Sequence, residues 1–257
     1  MARTRAHLVV AAFVASSLAP LRGTAATDEL FARERRQMVD DIAAMARSTR
    51  HETGRERFAE RVMDAMGKVP RHRFVPERVA RGAYGNHPLP IGGGQTISQP
   101  YIVALSTDLI DPQPAHVVLE IGTGSGYQAA VLAELVKHVY SIEIVEPLGR
   151  SAADRLAALG YGNVTVRIGD GYQGWSEHAP FDGIIVTAAA PFIPEPLIAQ
   201  LKPAGRMVIP VESPRGGQDL LLVEKNADGS VSKRVVLQVR FVPMTGKGVN
   251  ERKGGAR

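Results

Sequence analysis

Val117-Val118-Leu119-Glu120-Ile121-Gly122-Thr123-Gly124-Ser125-Gly126 runs from an apolar segment straight into alternating glycines. Residues 117–121 have the composition of a strand buried on both faces. The glycines permit a sharp turn at its end and let a ligand touch the backbone. Gln128 to Val136 then has helical spacing, so the unit is strand, glycine loop, helix. In open α/β sheets, ligands lie beyond the carboxyl ends of strands, where the strand order reverses. Gly122, Gly124 and Gly126 are therefore expected to bind a cofactor. Their spacing is G-x-G-x-G, because Tyr127 stands where the dinucleotide pattern G-x-G-x-x-G has its third glycine. The packing role of that glycine is accordingly expected to be missing. A carboxylate at Glu120 would repel a pyrophosphate and suits a cation. S-adenosylmethionine (SAM), with an ammonium, a sulfonium and no phosphate, fits this loop better than NAD.

Toward the C-terminus, short apolar runs alternate with helical segments. Strands are expected at His138–Ile144, Val164–Ile168, Asp182–Thr187 and Gly205–Val211, with helices at Pro147–Leu159 and Pro194–Leu201. This rhythm predicts a doubly wound, mainly parallel sheet. Asp219–Lys225 and Ser230–Val242, joined by Asn226-Ala227-Asp228-Gly229, predict an antiparallel hairpin at the end. Two more acids fall at strand ends. Glu143 is placed to accept from the ribose hydroxyls of a nucleoside, and Asp170, in Gly169-Asp170-Gly171, from the adenine amino group. Singly, each would read as a cap; three acids at three successive strand ends, with the glycines, point to SAM.

Toward the N-terminus, helices are expected at Asp28–Arg50, with Leu30, Met38, Ile42 and Met45 on one face, and at Arg55–Gly67. Val69–Pro76 reads as extended, Pro88–Gly94 as a Pro/Gly loop, and Tyr101–Ile110 as a helix. Residues 1–26 read as a signal peptide or disordered extension, from Arg3 and Arg5, the uncharged Leu8–Leu18 and the small residues Gly23-Thr24-Ala25. The organisation expected is therefore a leader at 1–26, a helical segment with a substrate and cofactor loop at 27–112, a Rossmann-like core at 113–246, and a flexible tail at 247–257.

Of the 257 residues, none is cysteine, which excludes disulfides, thiolate metal sites and a cysteine nucleophile. The net charge of +5 is concentrated before residue 82, where the surplus is six positive charges. Arg33, Arg35, Arg36, Arg47 and Arg50 alternate with acids on a helical pattern and have few aromatic neighbours, which fits a solvated face rather than a nucleic-acid surface. His72, His87, His138 and His178 lack metal-ligand spacing, so no metal is expected.

Beyond the loop Leu119–Gly126, four further stretches carry a family resemblance. They are Val69-Pro70-Arg71-His72-Arg73-Phe74-Val75-Pro76, Leu89-Pro90-Ile91-Gly92-Gly93-Gly94-Gln95-Thr96-Ile97-Ser98-Gln99-Pro100, Gly169-Asp170-Gly171 and Arg240-Phe241-Val242-Pro243-Met244-Thr245-Gly246. Over residues 30–246 the chain resembles the protein-L-isoaspartate(D-aspartate) O-methyltransferases. The second stretch is the specific one; the glycine loop marks only the wider class of SAM methyltransferases. The resemblance implies a Rossmann-like methyltransferase fold with a seven-stranded sheet. It implies methyl transfer from SAM to the α-carboxylate of L-isoaspartyl residues, and more weakly of D-aspartyl residues, initiating repair of damaged peptides and proteins. The family's catalytic serine matches Ser98. Its cofactor contacts match Gly92, Gly93, Gly94, Gln95, Glu120, Glu143, Asp170 and Gly171, with Thr245 near substrate and cofactor. Ile97, Thr187 and Ala188 complete the expected substrate side. One departure stands out: the family pattern has an acid or two after the tyrosine preceding PLPIG, whereas Tyr84 is followed by Gly85-Asn86-His87.

The chemistry expected needs no general base, because a peptide carboxylate with a reference pKa of about 3.5–4 is ionised at neutral pH. Ser98 would orient one carboxylate oxygen and leave the other to attack; alternatively it caps the helix that starts at Gln99-Pro100. The small residues of Thr187-Ala188-Ala189-Ala190-Pro191 leave room for a peptide backbone and disfavour a nucleobase. A small-molecule carboxyl methyltransferase and a catalytically silent SAM-binding protein are the alternatives. The partners expected are isoaspartyl peptides and proteins, with no nucleic acid and no stable membrane association, and the chain is expected to act as a monomer. SAM supply favours the cytoplasm; residues 1–26 would favour export.

Overall fold

The computed structural model describes residues 22–247, with side chains from residue 28. Residues 1–21 of the expected leader and 248–257 of the expected tail lie outside the described residues. Helix α1 spans Arg22–Ser48, followed by the short α2 (Arg50–Thr53) and by α3 (Glu60–Lys68). Met38, Ile42 and Ala46 of α1 recur every fourth residue and are buried, while Arg33, Arg36, Arg47 and Arg50 stay in solvent. Leu30, expected on the apolar face, is exposed instead.

Two local expectations are corrected. Val69–Pro76 is not wholly extended, since Arg71–Phe74 forms a 3-10 turn. Pro88–Gly94 is not a simple loop. Leu89–Gly92 (β1) and Gln95–Ile97 (β2) pair antiparallel, with Leu89 opposite Ile97 and Pro90 opposite Thr96. Gly92, Gly93 and Gly94 turn this hairpin with φ of 99°, 60° and 73°, values that side chains beyond glycine rarely adopt. Proline is tolerated because the hairpin stands apart from the main sheet, so β1 has a free edge.

Helix α4 (Pro100–Leu109) then enters β3 (Val117–Ile121), α5 (Tyr127–Ala133), β4 (His138–Glu143), α6 (Glu146–Ala158) and β5 (Val164–Ile168). After them come β6 (Phe181–Val186), α7 (Glu195–Ala199), β7 (Leu201–Glu212), β8 (Gln218–Lys225) and β9 (Val231–Val239). The seven main strands are ordered β5-β4-β3-β6-β7-β8-β9, parallel from β5 to β7 and antiparallel thereafter. The expected doubly wound sheet with a terminal hairpin is thus present, and the strand order reverses at β3. Strand β7 begins at Leu201 rather than Gly205. Leu201 faces Phe181 but Arg206 faces Gly183, so a bulge takes up the extra residues.

The central strands are buried on both faces, which is why they read as mainly apolar runs, whereas the edge strands β5 and β9 are partly or largely exposed. Val118, Val139, Ile185 and Val208 point to one core, shared with α1, α3, α4 and α5. Leu119, Ile142, Ile184 and Met207, one residue out of phase, point to the other, with Tyr172, Trp175 and Leu197. Trp175 packs edge-on to Tyr140 at 5.2 Å, under the Arg167 guanidinium at 4.2 Å. His178 stacks on Tyr140 and His72 on Phe31, so both histidines serve packing.

Candidate active site

The glycine loop leaves β3 at the point of strand-order reversal and enters α5. Gly122, Gly124 and Gly126 all have left-handed φ, at 94°, 53° and 88°. A Cβ on Gly122 would stand 2.3 Å from Thr187 Oγ1, and that hydroxyl is held in place by donating to the Gly122 carbonyl at 2.7 Å. A Cβ on Gly126 would stand 3.1 Å from Leu156 of α6. The close-packing glycine expected to be missing is therefore present one position earlier, and it packs the loop against a helix.

The three acids divide by environment. Glu143, at the end of β4, accepts from the backbone N–H of Gly124 at 2.7 Å and of Val145 at 2.9 Å. It braces the glycine loop and keeps lone pairs for further donors. Asp170 accepts from Tyr172 N at 3.0 Å and Lys247 N at 2.7 Å. It bonds the chain as Glu143 does, one N–H to each oxygen, but it does not line the cleft, whereas Glu143 and Gly171 do. Glu120 is wholly buried. Ser141 Oγ donates to its Oε2, Thr123 Oγ1 lies 2.5 Å from the same hydroxyl, and Glu120 Oε1 has no partner among the described residues. Burial, reinforced by the Glu143 charge, pushes its carboxyl up to about 8.

That shift has a signed consequence for stability. Between about pH 4.5 and 8 the folded, ligand-free protein keeps the Glu120 proton while the unfolded chain has lost it. The stabilisation is complete at the acid end of this window and lost as pH rises through it, by on the order of a few kcal/mol. Thermal unfolding of wild type and Glu120→Gln between pH 5 and pH 8.5 should show the wild-type midpoint falling more steeply. Parallel curves would place the proton elsewhere.

Three spaces meet around Thr96 and Thr187. A cleft with lining residues Gln95, Gly122, Glu143, Gly171, Ala188 and Thr245 runs along the strand ends. A small inner cavity touches Glu120, Gly124, Ile97 and Ser98. A groove of about 510 Å³ lies outside, between α1, α4 and the segment Leu237–Val242. Thr96 and Thr187 border all three, and Ser98 borders the inner cavity and the groove. The Ser98 hydroxyl makes no hydrogen bond among the described residues. It does not cap α4: Gln99 occupies the N-cap and Pro100 the first turn.

Of the expected residues, Gly92, Gly93 and Gly94 do not line the cleft; they form the hairpin tip, and a Cβ on Gly93 would lie 3.6 Å from Leu148 of α6. The small residues after β6 are occupied by the chain itself. Ala189 N donates to Val242 O at 2.8 Å and Met244 N to Ala189 O at 2.7 Å, so the space anticipated there for a peptide is partly filled. Thr96, Gln128, Met45 and Tyr101 line the site without having been anticipated from the sequence. Thr96 adjoins Ser98 within the family-specific stretch, which was the one available signal; Met45 and Tyr101 read as helix core.

Residues 48–249 match the family model for protein-L-isoaspartate(D-aspartate) O-methyltransferase. The chain belongs to the protein-L-isoaspartate(D-aspartate) O-methyltransferase family. It is 63% identical over 210 residues to protein-L-isoaspartate O-methyltransferase 2 of Polaromonas sp., covering 82% of this chain and all of that one. It is 60% identical to protein-L-isoaspartate O-methyltransferase 1 of Cupriavidus necator over 222 residues, covering 86% of each. A solved protein-L-isoaspartate O-methyltransferase superposes with a TM-score of 0.73 at 27% identity, covering 84% of this chain and 67% of that one. A Plasmodium falciparum structure, titled a putative enzyme of the same name and in complex with S-adenosyl-L-homocysteine, gives 0.63 at 26% identity. It covers 73% of this chain and 91% of that one.

For a SAM-dependent protein-L-isoaspartate O-methyltransferase, the residues present fit the donor. A buried carboxylate oxygen without a partner needs a cation or a proton, and a cradle of left-handed glycines offers backbone groups at close range.

Proposed function

We propose that this protein methylates the α-carboxylate of L-isoaspartyl residues, and more weakly of D-aspartyl residues, with Ser98 aiming the anion. The observation that carries the assignment of Ser98 is its unpaired hydroxyl at the junction of the groove and the inner cavity. SAM supplies an electrophilic methyl group on a sulfonium. Glu120 offers its free oxygen to a cationic group, and Glu143 keeps acceptor capacity for hydroxyls beside Gly124. Gln95, Thr96, Ala188 and Thr245 wall the cleft along which the methyl group would pass. Ser98 donates to one oxygen of the incoming carboxylate and leaves the second facing the cleft. A neutral hydroxyl fixes direction without the ion pair a lysine would form, which preserves nucleophilicity. The enzyme's task is alignment of two opposite charges already present, not proton removal.

Matched peptides that differ only in an isoaspartyl or aspartyl linkage test this. Methyl incorporation is expected into the isoaspartyl peptide alone. Equal incorporation would favour a general carboxyl methyltransferase, and donor binding without transfer would favour a silent binding protein.

No helix among the described residues is long and apolar enough to cross a membrane. We place the reaction in the cytoplasm, where the donor is made; a mature protein starting near Ala26 would instead mean export.

A further inference from the structure

Arg240 is the only charged side chain among the residues that line the 510 Å³ groove. The other walls are apolar or neutral: Met45, Tyr101 and Ile102 on one side, Leu237, Val239 and Phe241 on the other. Asn86 stands directly behind the wall, accepting from Tyr101 N at 3.1 Å and approaching Met45 Sδ at 3.4 Å, and it too is neutral. Arg240 is exposed and forms no ion pair among the described residues. Around the mouth, α2 packs against β9 and brings Arg50 and Glu52, with Arg47 just before it. Glu52 is near enough to help raise the Tyr101 hydroxyl, so the groove has an acid on the Tyr101 side and Arg240 on the β9 side. The groove thus carries one exposed guanidinium among apolar and neutral lining residues, free of any ion pair among the described residues.

We propose that Arg240 sets the substrate preference of this enzyme, selecting isoaspartyl sites flanked by acidic residues over those flanked by basic ones. The proposal rests on the methyl-transfer reading and deepens it. An acidic neighbour of the damaged residue gains attraction to Arg240 as the peptide settles in the groove. A lysine there meets repulsion from the same guanidinium. Because Arg240 lies at an open surface, its effect falls on encounter and KM and weakens with salt.

The test is a series of isoaspartyl peptides identical except for Glu, Ser or Lys at the flanking positions, assayed at low salt. Wild type is expected to favour the Glu peptide over the Lys peptide about tenfold in kcat/KM, carried by KM, with the ratio shrinking at about 0.5 M salt. Arg240→Gln should bring the ratio close to one, and Arg240→Glu should reverse it. A flat wild-type ratio, or a ratio that survives Arg240→Gln, overturns the proposal. An equal loss of kcat on all three peptides in Arg240→Gln also overturns it, because Arg240 would then act on the reacting carboxylate. Failure of wild type to methylate any of the peptides would remove the methyl-transfer reading itself, and the selection with it.

Discussion

Replacing Ser98 by alanine is expected to lower kcat on an isoaspartyl peptide by about a hundredfold, the scale on which a lost positioning contact slows an aligned reaction. Affinity for SAM should stay within about twofold, since the role proposed for Ser98 is to orient the acceptor and not the donor. Ser98 follows β2 and precedes the N-cap of α4, so its backbone is fixed by a strand and a helix. Its hydroxyl has no hydrogen-bond partner among the described residues, and Ser98 borders both the groove and the cavity beside Glu120. Removing one oxygen strands no donor or acceptor, so the variant should fold as wild type does. The loss would then belong to orientation of the carboxylate. Single-turnover methylation and a separate donor titration distinguish the two effects; equal losses in both would make Ser98 part of the donor site.

Gly122→Ala should be more damaging still, weakening donor binding by more than about a hundredfold and the fold by about 1–3 kcal/mol. Two costs coincide at this position. The φ of 94° disfavours any side chain, and the new methyl would meet Thr187 Oγ1 at 2.3 Å. Thr187 cannot simply rotate away, because its hydroxyl donates to the carbonyls of Ile121 and Gly122 at 3.0 and 2.7 Å. The loop that borders cleft and inner cavity must therefore shift. Gly162→Ala is the control, for a Cβ there meets no heavy atom within 4 Å and its φ is unexceptional. A Gly122 variant with wild-type melting temperature and donor affinity would remove the loop from the site.

The legible parts of the fold were those whose signal is local. Strands β3, β4 and β6 announce themselves because burial on both faces demands mostly apolar residues, and the acids Glu120 and Glu143 at the ends of β3 and β4 could be read directly. The β1–β2 hairpin could not be read: Pro90 and Gly92-Gly93-Gly94 imitate a loop, and only the observed pairing reveals a strand. Gly126 is not legible as a packing glycine, because its partner, Leu156, lies a helix away. Glu143 could be placed at a strand end, but its bonds to Gly124 and Val145 depend on how the loop folds back. The groove was least visible of all. Met45, Tyr101 and Phe241 come from distant segments, and each reads as ordinary core until the fold places them together.

Calorimetric titration of SAM into wild type, Ser98→Ala and Glu120→Gln at pH 7.5 tests the central claim most directly. The account predicts one donor per chain, unchanged affinity in Ser98→Ala, and affinity weakened about tenfold in Glu120→Gln through loss of a charge-assisted contact. Undiminished binding by Glu120→Gln, or a wild-type protein that takes up no donor, would contradict it.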